Sequence, residues 1–93
     1  MPNLEKVLAS LGKAKGLVLF RSLAEPRTWI ELERIAKGDK NSVSRRIDEF
    51  IKLGLVKPVL LEDSPKGSKA YVLTDFGRFV LEKFEEIERY PGQ

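Results

Sequence analysis

The sequence predicts an α+β fold that is mostly helical and carries one small β-hairpin. Apolar residues recur at helical spacing in successive segments of the chain. Two β-favouring segments flank the proline- and glycine-containing turn Ser64–Gly67, and an amphipathic helix follows over residues 75–90. The chain has 93 residues, which is enough for one domain and too few for two. We therefore expect a single domain, residues 1–93.

The composition excludes several classes of chemistry. Cysteine and histidine are both absent, so disulfides, thiolate chemistry and zinc sites built from these ligands are impossible. We find no nucleophile–base pair, metal cluster or phosphate loop, and therefore expect no enzyme, no catalytic residue, no metal and no cofactor. Abundant Glu, Lys and Arg beside little Met, Gln and Asn resembles a thermophile composition. The sequence contains no membrane span or signal peptide, which predicts a cytoplasmic location.

The formal net charge is +3 and is unevenly distributed. Residues 37–57 contain six basic and three acidic side chains, whereas residues 75–93 contain three basic and five acidic ones. A basic segment of this kind is typical of a surface that meets a polyanion. Ordinary solvated surface can have the same composition, so charge alone leaves the partner open.

The first 24 residues predict helical structure whose continuity is undecided. Asn3 can cap a helix within residues 1–12, and a second helical segment begins at about Lys13. Gly12 can either bend one helix or separate two. In the first segment one helix face carries Leu4, Val7, Leu8 and Leu11, and in the second the residues predicted to face inward are Leu17, Val18, Phe20 and Leu23.

Residues 28–53 predict two short helices joined by a tight turn. Thr28 and Glu31 have the spacing of a capping box at the start of the first helix. Gly38 is suited to the left-handed conformation that ends this helix. The second helix is predicted to run from Ser42, at or near its N-cap, to residue 53. Two short helices joined by a glycine-containing turn are typical of the helix-turn-helix motif.

The second helix of this motif is amphipathic. At 100° per residue, its apolar stripe consists of Val43, Ile47, Phe50 and Ile51. The opposite face carries Arg45, Asp48 and Lys52, with Asn41, Ser44 and Glu49 on its flanks. The start of the polar face is therefore predicted to be free for a partner.

The segment 55–74 predicts the β-hairpin. Pro58 belongs on an edge strand because it cannot donate a hydrogen bond to a neighbour. The tip, residues 62–69, is polar and includes Lys66, Ser68 and Lys69. Thr74 can cap the last helix, predicted for residues 75–90.

Two stretches resemble a known group of proteins. The stretch SVSRRIDEFIKLGLV, Ser42–Val56, resembles the recognition helix and strand entry of MarR-like transcriptional regulators and of the related ArsR- and PadR-type families. The stretch GSKAYVLTDFGR, Gly67–Arg78, resembles the return strand of their wing and their L-T-x-x-G-R helix start. The resemblance covers residues 13–80 and implies a winged helix-turn-helix fold with a two-to-three-stranded wing and a C-terminal helix. ArsR-type metal sensors use cysteine or histidine, so metal sensing is not expected here.

The resemblance implies sequence-specific binding of double-stranded DNA by a transcriptional regulator. The recognition helix, residues 42–53, would enter the major groove, and the wing, residues 62–69, would lie on the minor groove or the backbone. The side chains expected to read bases are Asn41, Ser44 and Arg45. Arg45 could instead form an ion pair with Glu49, four residues further along the helix.

Other residues are expected to contact the DNA backbone, which positions the protein without reading sequence. They are Thr28, Lys40, Ser42, Arg46 and Lys52. Thr28 and Ser42 could act only as helix caps, and Arg46 could form an internal ion pair. The wing residues Lys66, Ser68 and Lys69 could equally belong to a solvated loop.

The terminal helices predict a homodimer. The last helix has an apolar seam with an average spacing of 3.5 residues, which suits packing against another helix. The expected interface consists of Leu4, Leu8, Leu11, Phe76, Val80, Phe84 and Ile87. The alternative is that the two terminal helices pack only within one chain.

A second function remains open from the sequence. Winged helices also act as protein-protein interaction modules in transcription or replication assemblies, and fold alone does not separate the two functions. The operator, the regulated genes and any small-molecule effector are likewise not determined by the sequence.

Overall fold

The computed structural model describes residues 3–61 and 68–92. Within these residues the chain forms five helices and three strands, which is an α+β arrangement. In chain order they are α1 Leu4–Gly12, α2 Gly16–Ser22, β1 Arg27–Thr28, α3 Trp29–Ile35, α4 Lys40–Lys52, β2 Val56–Leu61, β3 Ser68–Leu73 and α5 Asp75–Glu88. No helix in the described part of the chain is both long and apolar enough to cross a membrane.

The N-terminal region forms two helices, which decides the question that the sequence left open. Asn3 caps α1, its Oδ1 accepting a hydrogen bond from the Lys6 amide at 3.3 Å. Lys15 then adopts a left-handed conformation, with φ at 63°, and separates α1 from α2. A β-carbon on Gly16 would lie 2.6 Å from the carbonyl oxygens of Ser10 and Leu11, so the close turn requires glycine there.

The core lies between the helices and one face of the sheet. Phe20 from α2 and Phe50 from α4 meet edge to face, with ring centroids 5.6 Å apart. Phe20 and Leu23 are buried as predicted, but the inward orientation predicted for Leu17 and Val18 is wrong. Both are exposed, because the turn at Lys15 starts α2 in a phase that directs the neighbouring Leu19 inward instead.

The first helix of the helix-turn-helix motif, α3, begins with the predicted capping box. Thr28 Oγ1 accepts a hydrogen bond from the Glu31 amide, and a Glu31 carboxylate oxygen accepts one from the Thr28 amide. At its other end, the Lys37 amide donates to the Arg34 carbonyl and the Gly38 amide to that of Glu33. This is a Schellman motif, in which Lys37 is the C′ residue with φ at 56°, and Gly38 after it also has the predicted positive φ, at 85°.

The second helix, α4, begins earlier than predicted. Asp39 is its N-cap, and one carboxylate oxygen accepts a hydrogen bond from the Ser42 amide at 3.1 Å. Ser42, predicted at or near the N-cap, lies three residues after it and does not cap the helix, and its hydroxyl donates to the other Asp39 oxygen at 2.6 Å. The helix ends at Gly54, with φ at 76°, and the Leu55 amide donates to the Phe50 carbonyl.

The sheet is antiparallel, with strand order β1-β3-β2. Pro58 lies on the edge strand β2, as predicted, opposite Tyr71 of the central strand β3. The short strand β1 adds the third strand that the fold class allowed. The predicted turn Ser64–Gly67 lies outside the described residues.

The start of α5 is attached to the end of α4. The Thr74 amide donates to the Leu55 carbonyl at 2.9 Å, and the Thr74 hydroxyl donates to the Gly54 carbonyl at 2.6 Å. The same hydroxyl oxygen accepts a hydrogen bond from the Gly77 amide at 3.0 Å, which caps α5. A β-carbon on Gly77 would lie 2.1 Å from the Leu55 carbonyl oxygen. Threonine and glycine in the L-T-x-x-G-R stretch therefore have distinct roles at one junction.

Candidate nucleic-acid interface

The N-terminal half of α4 presents a polar edge to solvent. Asn41, Ser44 and Arg45, the residues expected to read bases, are all exposed. The apolar stripe behind them packs into the core through Val43, Ile47 and Phe50. Helix α4 is thus held along one side, and the three candidate side chains lie on the accessible side.

Arg45 does not form the ion pair with Glu49 that the sequence left open. Within residues 3–61 and 68–92, no carboxylate lies within ion-pair distance of Arg45. The Arg45 charge nevertheless affects the nearby Asp39 carboxyl. Hydrogen bonds from Ser42 hold the pKa of the Asp39 carboxyl below its ordinary value; burial opposes this, and the charges of Lys15 and Arg45 also lower the pKa. Among the described residues, no carboxylate therefore occupies the donors of the Arg45 guanidinium.

Glu49 is instead the centre of a junction between α4 and the N-terminal helices. Its carboxylate accepts hydrogen bonds from the Ser10 hydroxyl at 2.6 Å and from the Lys13 ammonium at 3.1 Å. It also pairs at 3.0 Å with the guanidinium of Arg46, which lies three residues earlier on the same helix. Burial raises the pKa of Glu49, but the hydrogen bonds from Ser10 and Lys13 and the charge of Arg46 outweigh it and hold the pKa below its ordinary value.

The position of Arg46 contradicts its expected contact with the DNA backbone. Only 7% of its side chain is exposed, and the Nε atom is buried without a hydrogen-bond partner in the described part of the chain. The physical reason is that α1 covers this border of α4 and supplies the groups that fix Glu49. Arg46 forms the internal ion pair that the sequence had left as its alternative. Ile51 was predicted to face inward, but it lies on the opposite side of the apolar stripe, which α1 does not cover, and it is exposed.

The remaining backbone-contact candidates fall into two groups. Lys40 is exposed, and Lys52 is exposed while forming a surface pair with Asp48 at 3.0 Å. Such pairs contribute about 0–1 kcal/mol, so the lysine can exchange this partner for a phosphate. The hydroxyls of Thr28 and Ser42 are both engaged at helix starts, Thr28 with Glu31 and Ser42 with Asp39.

The wing is described in part. Lys69 is exposed, and its ammonium lies 5.5 Å from the centroid of the Tyr71 ring. Ser68 is the first residue of β3. Lys66 lies outside the described residues, so its expected contact stays a prediction.

Two lysines beside the α4 start were not singled out by the sequence. Lys15 occupies the turn between α1 and α2, and Lys37 occupies the turn between α3 and α4. Helical periodicity gives no information about either position, because both lie between helices. Their left-handed backbone conformation is visible only in the structure.

The terminal helices form an apolar groove. It has a volume of about 440 Å³ and lies between α1 and α5. Of the residues predicted for a dimer interface, Leu4, Leu8, Phe76, Val80, Phe84 and Ile87 line it. Leu11 does not: it is buried in the core of its own chain, so its assignment to the interface is wrong. Phe79 also lines the groove and is exposed, although the 3.5-residue seam omitted it.

Helix-turn-helix, antiparallel wing and C-terminal helix in this order define a winged helix-turn-helix fold, of the kind found in MarR-like regulators. The reduced form of the transcriptional regulator YodB from B. subtilis is 20% identical, with a TM-score of 0.78 over 100% of this chain and 98% of that chain. A protein from Enterococcus faecalis V583, assigned to the MarR family of transcriptional regulators, is 21% identical, with a TM-score of 0.77 over 94% and 80% of the two chains.

The homodimeric winged helix-turn-helix DNA-binding domain Mb0332 from Mycobacterium bovis is 14% identical, with a TM-score of 0.65 over 97% of this chain and 85% of that chain. At these identities the likeness concerns the fold. No protein-family model matches the chain, and no curated protein matches its sequence.

Proposed function

We propose that this protein is a transcriptional regulator that binds double-stranded DNA through α4. The observation that carries the proposal is the exposed Arg45 guanidinium, which has no ion-pair partner in the described part of the chain, while Glu49 is engaged by Ser10, Lys13 and Arg46. The structural neighbours, which are transcriptional regulators rather than enzymes, support the same function.

The dimensions of DNA suit this edge. The major groove of B-DNA admits an α-helix, and each base pair displays a distinct pattern of donors and acceptors there. Arg45 can donate two hydrogen bonds to guanine, Asn41 can pair with adenine, and Ser44 can donate or accept. Lys40 and Lys52, both exposed, would contact phosphates on either side.

The wing extends the same interface. Lys69, with Lys66 and Ser68, would contact the minor groove or the adjacent backbone. The Thr28 hydroxyl already caps α3 and the Ser42 hydroxyl already donates to Asp39, so their contribution to the backbone contacts is secondary.

Replacement of Arg45 by alanine is expected to remove the preference for one base pair. Selection of bound duplexes from a random pool identifies the preferred site for the unaltered protein and for Arg45→Ala. We expect a loss of about 1–3 kcal/mol of discrimination at one position, with other positions unchanged. Arg89→Ala is the matched control, since it removes the same charge from an exposed residue at the end of α5.

Two results would count against the proposal. Uniform weakening over all positions would make Arg45 a phosphate contact rather than a base reader. If the protein does not bind duplex DNA, or binds it with an affinity that does not fall as the salt concentration rises, DNA is excluded as the partner and a protein-protein interaction module is favoured.

We further propose that two copies associate through the groove between α1 and α5. Leu4 and Ile87 are 71% and 62% exposed at its rim, although both are large apolar residues. The two terminal helices form the groove within one chain, but that chain does not fill it. Packing within the chain and pairing across a dimer can therefore both occur. A dimer would place two α4 helices about 34 Å apart, as pseudo-palindromic sites require.

A double variant with charge in the groove is expected to be monomeric. Leu4→Glu with Ile87→Glu places carboxylates in surface that a dimer would bury, while the exposed positions leave the monomer core intact. Sedimentation at micromolar concentration measures the change. Leu60→Glu is the control, because Leu60 is 72% exposed on β2 and lies outside the groove. A monomeric unaltered protein would exclude the dimer.

A further inference from the structure

We infer that Lys15 and Lys37 are additional DNA phosphate contacts, which extend the interface from the helix-turn-helix motif onto the turn between α1 and α2. This inference rests on the proposed DNA-binding function. Lys15 and Lys37 are the two non-glycine residues with positive φ in the described part of the chain, at 63° and 56°. Both are lysines, and both lie in turns near the start of α4.

Lys37 can be compared directly with Gly54. Each is the C′ residue of a Schellman motif, at the end of α3 and of α4 respectively, and each makes the corresponding pair of backbone hydrogen bonds. Glycine adopts the left-handed conformation without steric conflict, whereas a β-carbon crowds the backbone. The lysine is thus less stable than glycine would be at a position where glycine satisfies the fold.

Lys15 occupies a turn that is rigidly held. The adjacent Gly16 packs against the carbonyl oxygens of Ser10 and Leu11 too closely for any β-carbon, and the Gly16 amide donates to the Lys13 carbonyl. The Lys15 charge lies near the α4 start, since it lowers the pKa of Asp39. A cation on a fixed turn loses less conformational freedom on meeting a phosphate than one on a mobile loop.

Neither ammonium group has a direct partner within the described fold. Among the residues described, Lys15 and Lys37 form no hydrogen bond from the side chain and no ion pair. The charges of Lys15 and Arg45 both act on Asp39 at the start of α4, and Lys37 and Lys40 flank Asp39 closely in sequence. A left-handed lysine with no direct side-chain partner in the described part of its own chain is explained by a contact to an external anion, and the phosphates that flank α4 in the major groove supply it.

The inference predicts opposite effects on stability and on DNA binding. Lys15→Gly and Lys37→Gly relieve the left-handed strain, so each should raise Tm by on the order of 4 °C. Each also removes one phosphate contact, so the slope of log Kobs against log salt should fall in magnitude by about 0.9, and by about 1.8 in the double variant. Lys15→Arg and Lys37→Arg keep the charge and should preserve the slope.

The measurements are thermal unfolding and salt titration of binding to the duplex selected with the unaltered protein, with Arg89→Ala as the charge-matched control. If the unaltered protein shows a steep slope and the double glycine variant shows the same slope, the inference fails while the proposed function stands. If a reduced slope is accompanied by a lower Tm, the lysines serve the fold and the inference is overturned. If the unaltered protein shows no salt-dependent binding, the proposed function fails and the inference with it.

Discussion

Replacement of Gly77 by alanine is expected to lower the free energy of unfolding by about 3 kcal/mol. The new β-carbon would lie 2.1 Å from the Leu55 carbonyl oxygen and 3.2 Å from the Leu73 β-carbon. The Leu55 carbonyl cannot move away without losing its hydrogen bond from the Thr74 amide. The clash would therefore separate α5 from the end of α4, and we expect Tm to fall by roughly 12–24 °C.

The matched control for this prediction is Gly12→Ala. Gly12 is the last residue of α1, and a β-carbon there would meet no atom within 4 Å. Alanine is favoured over glycine in a helix, so this variant should gain up to about 1 kcal/mol. Equal stability of the two variants in denaturant unfolding would contradict the proposed contact between α5 and Leu55.

Replacement of Glu49 by glutamine is expected to destabilise the protein by about 2 kcal/mol. The substitution keeps the shape of the side chain but leaves the buried Arg46 guanidinium without its counterion. Removing one partner of a fully buried ion pair costs about 3–5 kcal/mol, and the 29% exposure of the Glu49 side chain reduces this figure. The loss also loosens α1, because Lys13 loses its ionic partner as well.

The neighbouring residue provides the control. Asp48→Asn removes the same charge one position earlier, from an exposed pair with Lys52, and should change stability by less than about 0.5 kcal/mol. The double variant Glu49→Gln with Arg46→Met should recover part of the lost stability, since it removes the uncompensated charge. A Glu49 variant no less stable than the Asp48 variant would show that the junction does not stabilise the fold.

The Glu49 contribution should depend on pH. Its pKa in the folded protein is lower than in the unfolded chain, where the ordinary value is 4.5. A depressed pKa means that the stabilisation is fully present above the unfolded value and is lost as the pH falls through the folded value. The stability difference between the unaltered protein and Glu49→Gln should therefore be constant near neutral pH and decrease below about pH 4.5. A difference that grows on acidification would contradict this ionisation.

The sequence predicted the ends of most helices because capping depends on residues three or four positions apart. The caps at Asn3, Thr28 and Thr74 and the glycine after α4 were all identified in this way. The start of α4 was the exception, since both Asp39 and Ser42 are good capping residues. The structure shows that the Asp39 carboxylate satisfies the Ser42 amide and hydroxyl together, which begins the helix at Lys40.

In the candidate interface, too, the sequence predicted what depends on local spacing and missed what depends on distant contacts. Periodicity placed Asn41, Ser44 and Arg45 on the exposed side, and all three are exposed. The sequence assigned Ile51 to the apolar stripe and Arg46 to the DNA backbone, whereas the structure exposes Ile51 and buries Arg46, on opposite sides of that stripe. Which of the two is buried depends on which border a distant segment covers.

The sequence by itself determined the α+β class, the order from the helix-turn-helix motif to the last helix, most of the capping residues and the polar edge of α4, because each depends on residues that are neighbours along the chain. Only the tertiary structure decided that α1 covers the Arg46 border, that Leu11 is buried, and that Glu49 is withdrawn from Arg45. These features arise where segments some 39 residues apart in sequence come into contact. Such contacts depend on how helices pack as bodies, and no local spacing of residue types encodes that packing.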